Sequence, residues 1–321
     1  MTVRRQAADK KQATGEQAGS EQAGSEQASA VVLDKAAREN FPVAPFFMPA
    51  AMRAGLMAVY GFARLVDDAG DGDLEDPEAT AAVLGAADAG ALALLDALEA
   101  DLDRVFETVL GTPGAEPPRH PLLADLVPVA DRHALTPEPF RALIQANRVD
   151  QTTSRYPDID ALMGYCELSA NPVGLMVLQL AGLATPERVR QSDAVCSALQ
   201  IIEHLQDVAE DRARDRIYLP AADMAAFKVA EADLDAEHAG PALRALVGFE
   251  AQRARVLLDQ GAPLVGTVGG RLRLLLAGFA AGGYAALDAI AAADNDVLAG
   301  APKPRKSRLL REAAATLVRG R

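Results

Sequence analysis

Tryptophan is absent from this 321-residue chain, and nine Phe and five Tyr supply all of its aromatic surface. Clusters of Val, Ile and Thr of strand length are equally scarce, which removes the signal expected of a β-sheet protein. The two cysteines, Cys166 and Cys196, make no CxxC or Cys/His spacing, so the sequence holds no thiolate zinc site. Both fall in apolar helical context and read as small buried hydrophobes. The four histidines, His120, His133, His204 and His238, lack HExxH or any other zinc spacing, and His204 reads as structural. No GxSxG elbow and no P-loop occur, leaving acyl transfer and nucleotide hydrolysis without support. VGTVGG at Val265–Gly270 follows no strand and is not a dinucleotide fingerprint. Basic residues are in deficit: the formal net charge of −13 argues against a general nucleic-acid binder, which must neutralise phosphates. The N-terminus is polar and lacks the apolar core of a signal peptide, so a cytoplasmic protein is expected.

What remains is rich in Ala and Leu and half hydrophobic, enough for a sizeable core. The expected class is all-α. Residues Glu16–Ser29 (EQAGSEQAGSEQAS) cannot bury apolar surface, so 1–30 is expected to be a disordered leader, with order beginning near Val31–Asn40. Loops are expected at Gly72–Pro77, Gly111–Pro121, Thr185–Pro186 and Pro220, with Thr136 and Pro137 opening a further helix. A single helical domain over 31–298 is the simplest arrangement, followed by a tail over 299–321. The longest apolar stretch, Leu264–Ala293, is interrupted by Arg271, Arg273 and Asp288 and reads as a core helix rather than a membrane span. Gly278, Gly282 and Gly283 are expected to allow close helix packing there.

Two acidic patterns carry the chemistry. Laid out as a helix, Arg53, Tyr60, Arg64, Asp67 and Asp71 share one stripe at steps of seven, four, three and four, with Asp68 beside it. Leu56, Val59, Phe62, Leu65 and Val66 make the rest of that helix apolar, so the stripe must face a cavity, a partner or other charges. Arg64 alone cannot neutralise three aspartates, and an uncompensated buried carboxylate is costly. The milder reading is that Asp67–Asp71 fray into solvent. A second pattern weighs against it: in QIIEHLQDVAEDRARD, Gln200, Glu203, Asp207 and Asp211 again occupy one helical face. Facing each other, the two stripes would form a carboxylate cage for several Mg²⁺ ions, completed by substrate phosphates. A diphosphate substrate follows, clamped by flanking arginines such as Arg64, Arg212, Arg214 and Arg216.

Tyr60, Tyr165 and Tyr218 lie on or near these patterns, where an aromatic face would stabilise a carbocation left by a departing diphosphate. Tyr156 and Tyr284 read as helix filler. The tail from Pro302 carries seven basic residues against Glu312, a side-chain charge of +6, with Leu309, Leu310, Ala313 and Leu317 interleaved. It is read either as a contact with anionic lipid or as a solubilising extension.

On these residues the chain resembles the squalene/phytoene synthase family of head-to-head prenyl synthases. ENFPVA (Glu39–Ala44), R-x6-Y-x3-R-x2-DD-x2-D (Arg53–Asp71), YC-x2-SANPVG (Tyr165–Gly174) and LQ-x6-QD-x3-D-x4-RIYLP (Leu199–Pro220) stand in the family's order. NFPVA and Gln206 before Asp207 look most like its bacterial hydroxysqualene synthase branch, in the hopanoid pathway. The resemblance implies the all-α isoprenoid synthase fold around a central hydrophobic cavity, Mg²⁺ as cofactor, and a prenyl diphosphate as substrate. It implies ionisation of presqualene diphosphate and capture of the cation by water to give hydroxysqualene. Condensation of farnesyl diphosphate, or a non-catalytic scaffold for other squalene-pathway enzymes, are the alternatives. Carried over by motif, Asp67, Asp71 and Asp207 look like Mg²⁺ ligands, supported by Asp68, Asp211 and Glu203. Arg53, Tyr60, Arg64, Gln200 and Arg216 look like substrate contacts, and Tyr165 like a cavity residue near the reacting carbons. Tyr60, Tyr165, Asp67 and Asp207 are the residues expected to carry catalysis. The chain departs from the family pattern at Glu203, where Asn is usual, and at Asp215, where Gly is usual. Glu203 is expected to tighten Mg²⁺, and Asp215 to divert a neighbouring arginine from phosphate.

Overall fold

Helices begin in this chain where a cap satisfies the first free N–H groups, and proline often takes the first turn. In the computed structural model, which describes residues 44–304 and 306–319, this happens repeatedly. The leader, the 31–40 segment and most of ENFPVA lie outside the described residues.

Backbone contacts divide the chain into two compact units, 1–137 and 138–321. The described part of the first opens with α1 (Ala50–Asp71), whose last turn closes where Gly72 adopts a φ of 75° and returns its N–H to the Asp68 carbonyl. It continues with α2 (Pro77–Leu84), α3 (Ala91–Val109) and α4 (Pro121–His133). Asp76 caps α2 by accepting from Ala79 N–H at 2.9 Å. His120 caps α4, its Nδ1 accepting from Leu122 N–H at 3.3 Å. The fully buried Asp101 of α3 accepts the Arg119 and His120 N–H groups at 2.8 and 2.9 Å, which anchors the loop before α4. The core between these helices is Phe62, Leu94, Leu95, Leu98, Leu102, Leu123 and Leu126.

The second unit holds α5 (Glu138–Asp150), α6 (Ile159–Ser169), α7 (Asn171–Leu180), α8 (Pro186–Gln206), α9 (Val208–Ala213), α10 (Ala221–Phe227), α11 (Pro241–Gly261), α12 (Leu264–Thr267), α13 (Gly270–Ala292) and α14 (Lys306–Arg319). Thr185 and Pro186 start α8 as cap and first residue, as the sequence implies. The helix expected from Thr136 begins at Glu138. Among the described residues there is no strand, only a parallel bridge between Arg155 and Ile217. The class is all-α.

In this unit α8 packs extensively against α11. A Cβ on Gly261 would stand 2.5 Å from the Gln191 carbonyl oxygen, so only glycine fits the contact. The apolar stretch over 264–293 divides into α12 and α13. Helix α13 is apolar and long enough to cross a membrane, but it packs against α8, α11 and α14, with Ala280, Ala281, Tyr284, Ala285 and Leu287 buried. Gly283 is the close-packing glycine, with Leu199 and Leu258 side chains 2.9 Å from its would-be Cβ, whereas Gly278 faces open space.

The basic tail is helical over 306–319. Helix α14 lies on α13, burying Glu312 and Thr316, and Arg273 donates to the Leu317 carbonyl at 2.8 Å. Arg308 donates to Asp288 at 2.8 Å, so part of the tail's charge is matched within the fold.

Candidate active site

Helix α1 carries the first stripe as an unbroken helix. Asp67 and Asp71 are exposed at its end, and Arg53, Tyr60 and Arg64 are half-buried along it. Asp68 departs from its neighbours: it is 6 % exposed and meets Arg64 Nη2 at 2.7 Å. Burial alone would lower the Arg64 pKa, but Asp68 and Asp67 beside it outweigh that and raise it. Arg64 is therefore paired with the buried Asp68, while Asp67 and Asp71 stand exposed at the helix end. Arg53 donates from Nη1 to the Phe46 carbonyl at 3.4 Å, tying the segment before the helix to its first turn.

The second stripe lies at the join of α8 and α9. One helix over Gln200–Asp215 was expected; instead the helix breaks at Asp207, whose ψ of 14° ends α8. The hydrogen-bond ladder still passes through it, from Asp207 N–H to Glu203 O at 3.0 Å and from Asp211 N–H to Asp207 O at 2.8 Å. Asp207 and Asp211 thus stay on one side. Burial raises both carboxyls, and Asp207 adds to the effect on Asp211, which reaches about 7 against the opposing Arg216. Two partly buried carboxylates that resist ionising together form a donor set suited to a hard cation. Among the described residues no three His, Cys, Asp or Glu side chains converge at coordinating distance.

Behind this stripe sits an aromatic cluster that sequence reasoning found only in part. Tyr165 donates its O–H to Asp150 at 2.8 Å. Its ring lies 5.5 Å from Tyr156 and 5.7 Å from Tyr218, and Tyr156 stacks on Tyr218 at 5.5 Å. His204 closes the group, lying flat on Tyr218 with centroids 3.6 Å apart. Tyr156, expected to be filler, is 4 % exposed and belongs to this cluster. The reason is local: the Arg155–Ile217 bridge runs parallel, so Tyr156 and Tyr218 leave it side by side. That pairing of SRY with RIY was the available signal. Burial drives all three phenols well above their ordinary range, with Asp150 adding to it, so they stay protonated. Burial likewise pushes His204 down to about 3, keeping it neutral. The cluster therefore offers uncharged π faces.

An apolar cavity of about 220 Å³ opens in the same unit, lined by α7, α8, α11, α12 and α13. Val177, Leu199, Leu264, Leu276 and Phe279 supply its apolar wall, while Gln200 and Glu203 reach it from the acidic stripe. Cys196 also lines it, its thiol raised by burial to about 11.

Asp215 does bind arginines, though not Arg214 beside it. Its carboxylate meets Arg155 at 2.7 Å and Arg212 at 3.4 Å, and Glu231 and Asp235 extend the network, whereas Arg214 pairs with Glu210. Gln206 turns away from the stripe: its amide donates to the Pro302 carbonyl at 2.5 Å and holds the segment leading to α14.

The helical architecture and its acidic stripes define the isoprenoid synthase class of all-α proteins. The model of the squalene/phytoene synthase family matches residues 34–310, well past the stretch that the motifs cover. A hydroxysqualene synthase of Rhodopseudomonas palustris is 36 % identical over 231 residues, 72 % of this chain and 71 % of that protein. A phytoene synthase of Arthrospira platensis is 32 % identical over 68 % of each chain. The crystal structure of a squalene synthase from Alicyclobacillus acidocaldarius superposes with a TM-score of 0.71 at 34 % identity, over 84 % of this chain and 95 % of that one. The chain belongs to the squalene/phytoene synthase family and is an enzyme of isoprenoid biosynthesis.

Proposed function

We propose that the enzyme converts presqualene diphosphate to hydroxysqualene with release of diphosphate. The observation that carries this reading is the apolar cavity with Gln200 and Glu203 on its wall, so that the acidic stripe borders a chamber for a hydrocarbon. The likeness to hydroxysqualene synthases supports it.

In this reading Asp67 and Asp71 on α1, and Glu203, Asp207 and Asp211 on α8 and α9, supply oxygen ligands for Mg²⁺, while Asp68, expected as a ligand, instead holds Arg64 in place. The metal, when bound, neutralises the diphosphate and so favours its departure. Arg53, Tyr60, Arg64, Gln200 and Arg216 bind and orient the substrate. The apolar wall excludes bulk water, and the neutral rings of Tyr165, Tyr156 and Tyr218 lend π density to the cation. Asp150 holds the Tyr165 phenol in place. The outward side of α14, where Leu310 is 72 % and Val318 67 % exposed with Arg311 between them, provides a lipid contact for an enzyme with apolar substrate and product.

The test is to incubate the purified chain with Mg²⁺ and either presqualene or farnesyl diphosphate and identify the products. An alcohol from presqualene diphosphate is expected. Turnover of farnesyl diphosphate alone would assign the condensation reaction instead.

A further inference from the structure

The break at Asp207 has no cause in its own sequence. Helices kink sharply at proline, at glycine or where a side chain enters the hydrogen-bond ladder, and Leu205–Val208 offers neither of the first two. What holds the break comes from elsewhere in the chain. Leu205 and Val208 flank it, and both are buried in one core with Val297 and Leu298. Between them, Gln206 Nε2 donates to the Pro302 carbonyl at 2.5 Å. A carbonyl oxygen only accepts, so the nitrogen end of the amide is the end that meets it. That carbonyl is itself held from both directions. Upstream, Asp296 accepts the Ala239 N–H at 2.9 Å, and Asn295 donates to the Arg244 carbonyl at 3.2 Å. Downstream, α14 is docked on α13 by Arg308 on Asp288 and by Arg273 on the Leu317 carbonyl, each at 2.8 Å.

We propose that Gln206 is a positioning residue and that residues 297–302 act as a strap: the bond between them fixes the turn at Asp207, and thereby the spacing of the Asp207 and Asp211 carboxylates. The reach is short. Asp207 follows Gln206 directly, and the Asp211 N–H is bonded to the Asp207 carbonyl at 2.8 Å, so a rotation of the chain at 206 carries both acids with it. The far end of α9 is fastened separately, by Arg212 on Asp235 at 2.8 Å. Released at Gln206 alone, the segment from Asp207 to Asp211 would pivot rather than detach. Oxygen donors that must meet a metal and a diphosphate together tolerate little displacement, so a group standing behind them matters nearly as much as the donors. This inference rests on the diphosphate site proposed above, in which Gln206 itself has no contact with metal or substrate.

Gln206→Met in the full chain keeps the length of the side chain and removes the donor. Without any ligand, hydrogen exchange at the Asp207 and Asp211 amides should quicken about tenfold or more, as for an opening confined to this segment. The urea midpoint should stay near that of the unaltered protein, since Gln206 is half-buried and the core beside it is untouched. Binding of inorganic diphosphate with Mg²⁺, read by calorimetry, should weaken about tenfold. A bond that merely secured the tail would lower the midpoint and leave diphosphate affinity alone; that pattern would overturn the proposal, as would unchanged exchange. If the unaltered chain takes up no diphosphate, the reading of the site fails, and exchange at Asp207 and Asp211 still decides whether the strap holds the break.

Discussion

Gly261 meets Val195 so closely that a single added methyl would stand 2.5 Å from Val195 Cγ2 and 2.9 Å from its backbone nitrogen. Both residues line the apolar cavity, so this helix crossing is also part of its wall. Gly261→Ala is expected to force α8 and α11 apart and to destabilise the protein by about 1–3 kcal/mol. Urea denaturation measures this, and an unchanged midpoint would mean that the crossing relaxes freely.

Asp67→Asn and Asp207→Asn each keep the volume of the side chain and remove its charge. Each is expected to lower kcat by about a hundredfold or more if the carboxylates hold Mg²⁺ for the departing diphosphate. Thermal melting should scarcely move, since Asp67 is exposed and Asp207 half-buried. Retention of full turnover in either variant would remove that residue from the site.

Tyr165→Phe keeps the ring in the cluster and deletes the O–H that Asp150 accepts. About 1–2 kcal/mol of stability should be lost, as for a buried hydrogen bond to a charged group. Turnover should fall less than tenfold if the ring face is what serves the cation. A loss as large as that of the aspartate variants would point to the hydroxyl instead.

His120 gives the fold an acid limit. Burial holds its pKa at about 4, below the ordinary 6.5, while Asp101 opposes the shift only in part. The unfolded chain therefore binds a proton at this residue between about pH 6.5 and 4 that the folded chain refuses, so stability falls as pH drops through that window. The shift corresponds to a loss on the order of 3 kcal/mol once pH lies below both values. His120→Asn retains a capping side chain and should flatten the difference between urea midpoints at pH 7 and pH 4.5. An equal pH dependence in both proteins would clear His120 of the effect.

Vesicle sedimentation tests the outward face of α14. Leu310→Ser with Val318→Ser should reduce binding to anionic vesicles several-fold without altering the melting point, because both side chains are exposed. Equal binding by both proteins would leave the face without a lipid role. Point substitutions serve better than removing the tail, since its other side covers part of α13.

Much of this was legible in the sequence because it depended on local pattern. The α1 stripe repeats at helical spacing, and Thr185–Pro186 writes the start of α8 directly. Asp68 was harder: Asp67, Asp68 and Asp71 look alike in sequence, and only packing decides that Asp68 is the one Arg64 draws inward. The break at Asp207 is likewise set by surroundings, since Leu205–Val208 carries no proline or glycine to announce it. Tyr156 joins the aromatic cluster through Tyr218, far along the chain, and Asp150 through the hydrogen bond from Tyr165.

The bond from Gln206 to Pro302 closes a loop of 96 residues beside Asp207. Loop closure of that length is entropically costly and is completed only after the intervening helices have packed. During synthesis the end of α8 therefore emerges long before the segment that fastens it. Gln206 thus finds its partner only after residue 302 has been made, so this fastening at the end of α8 is a late one.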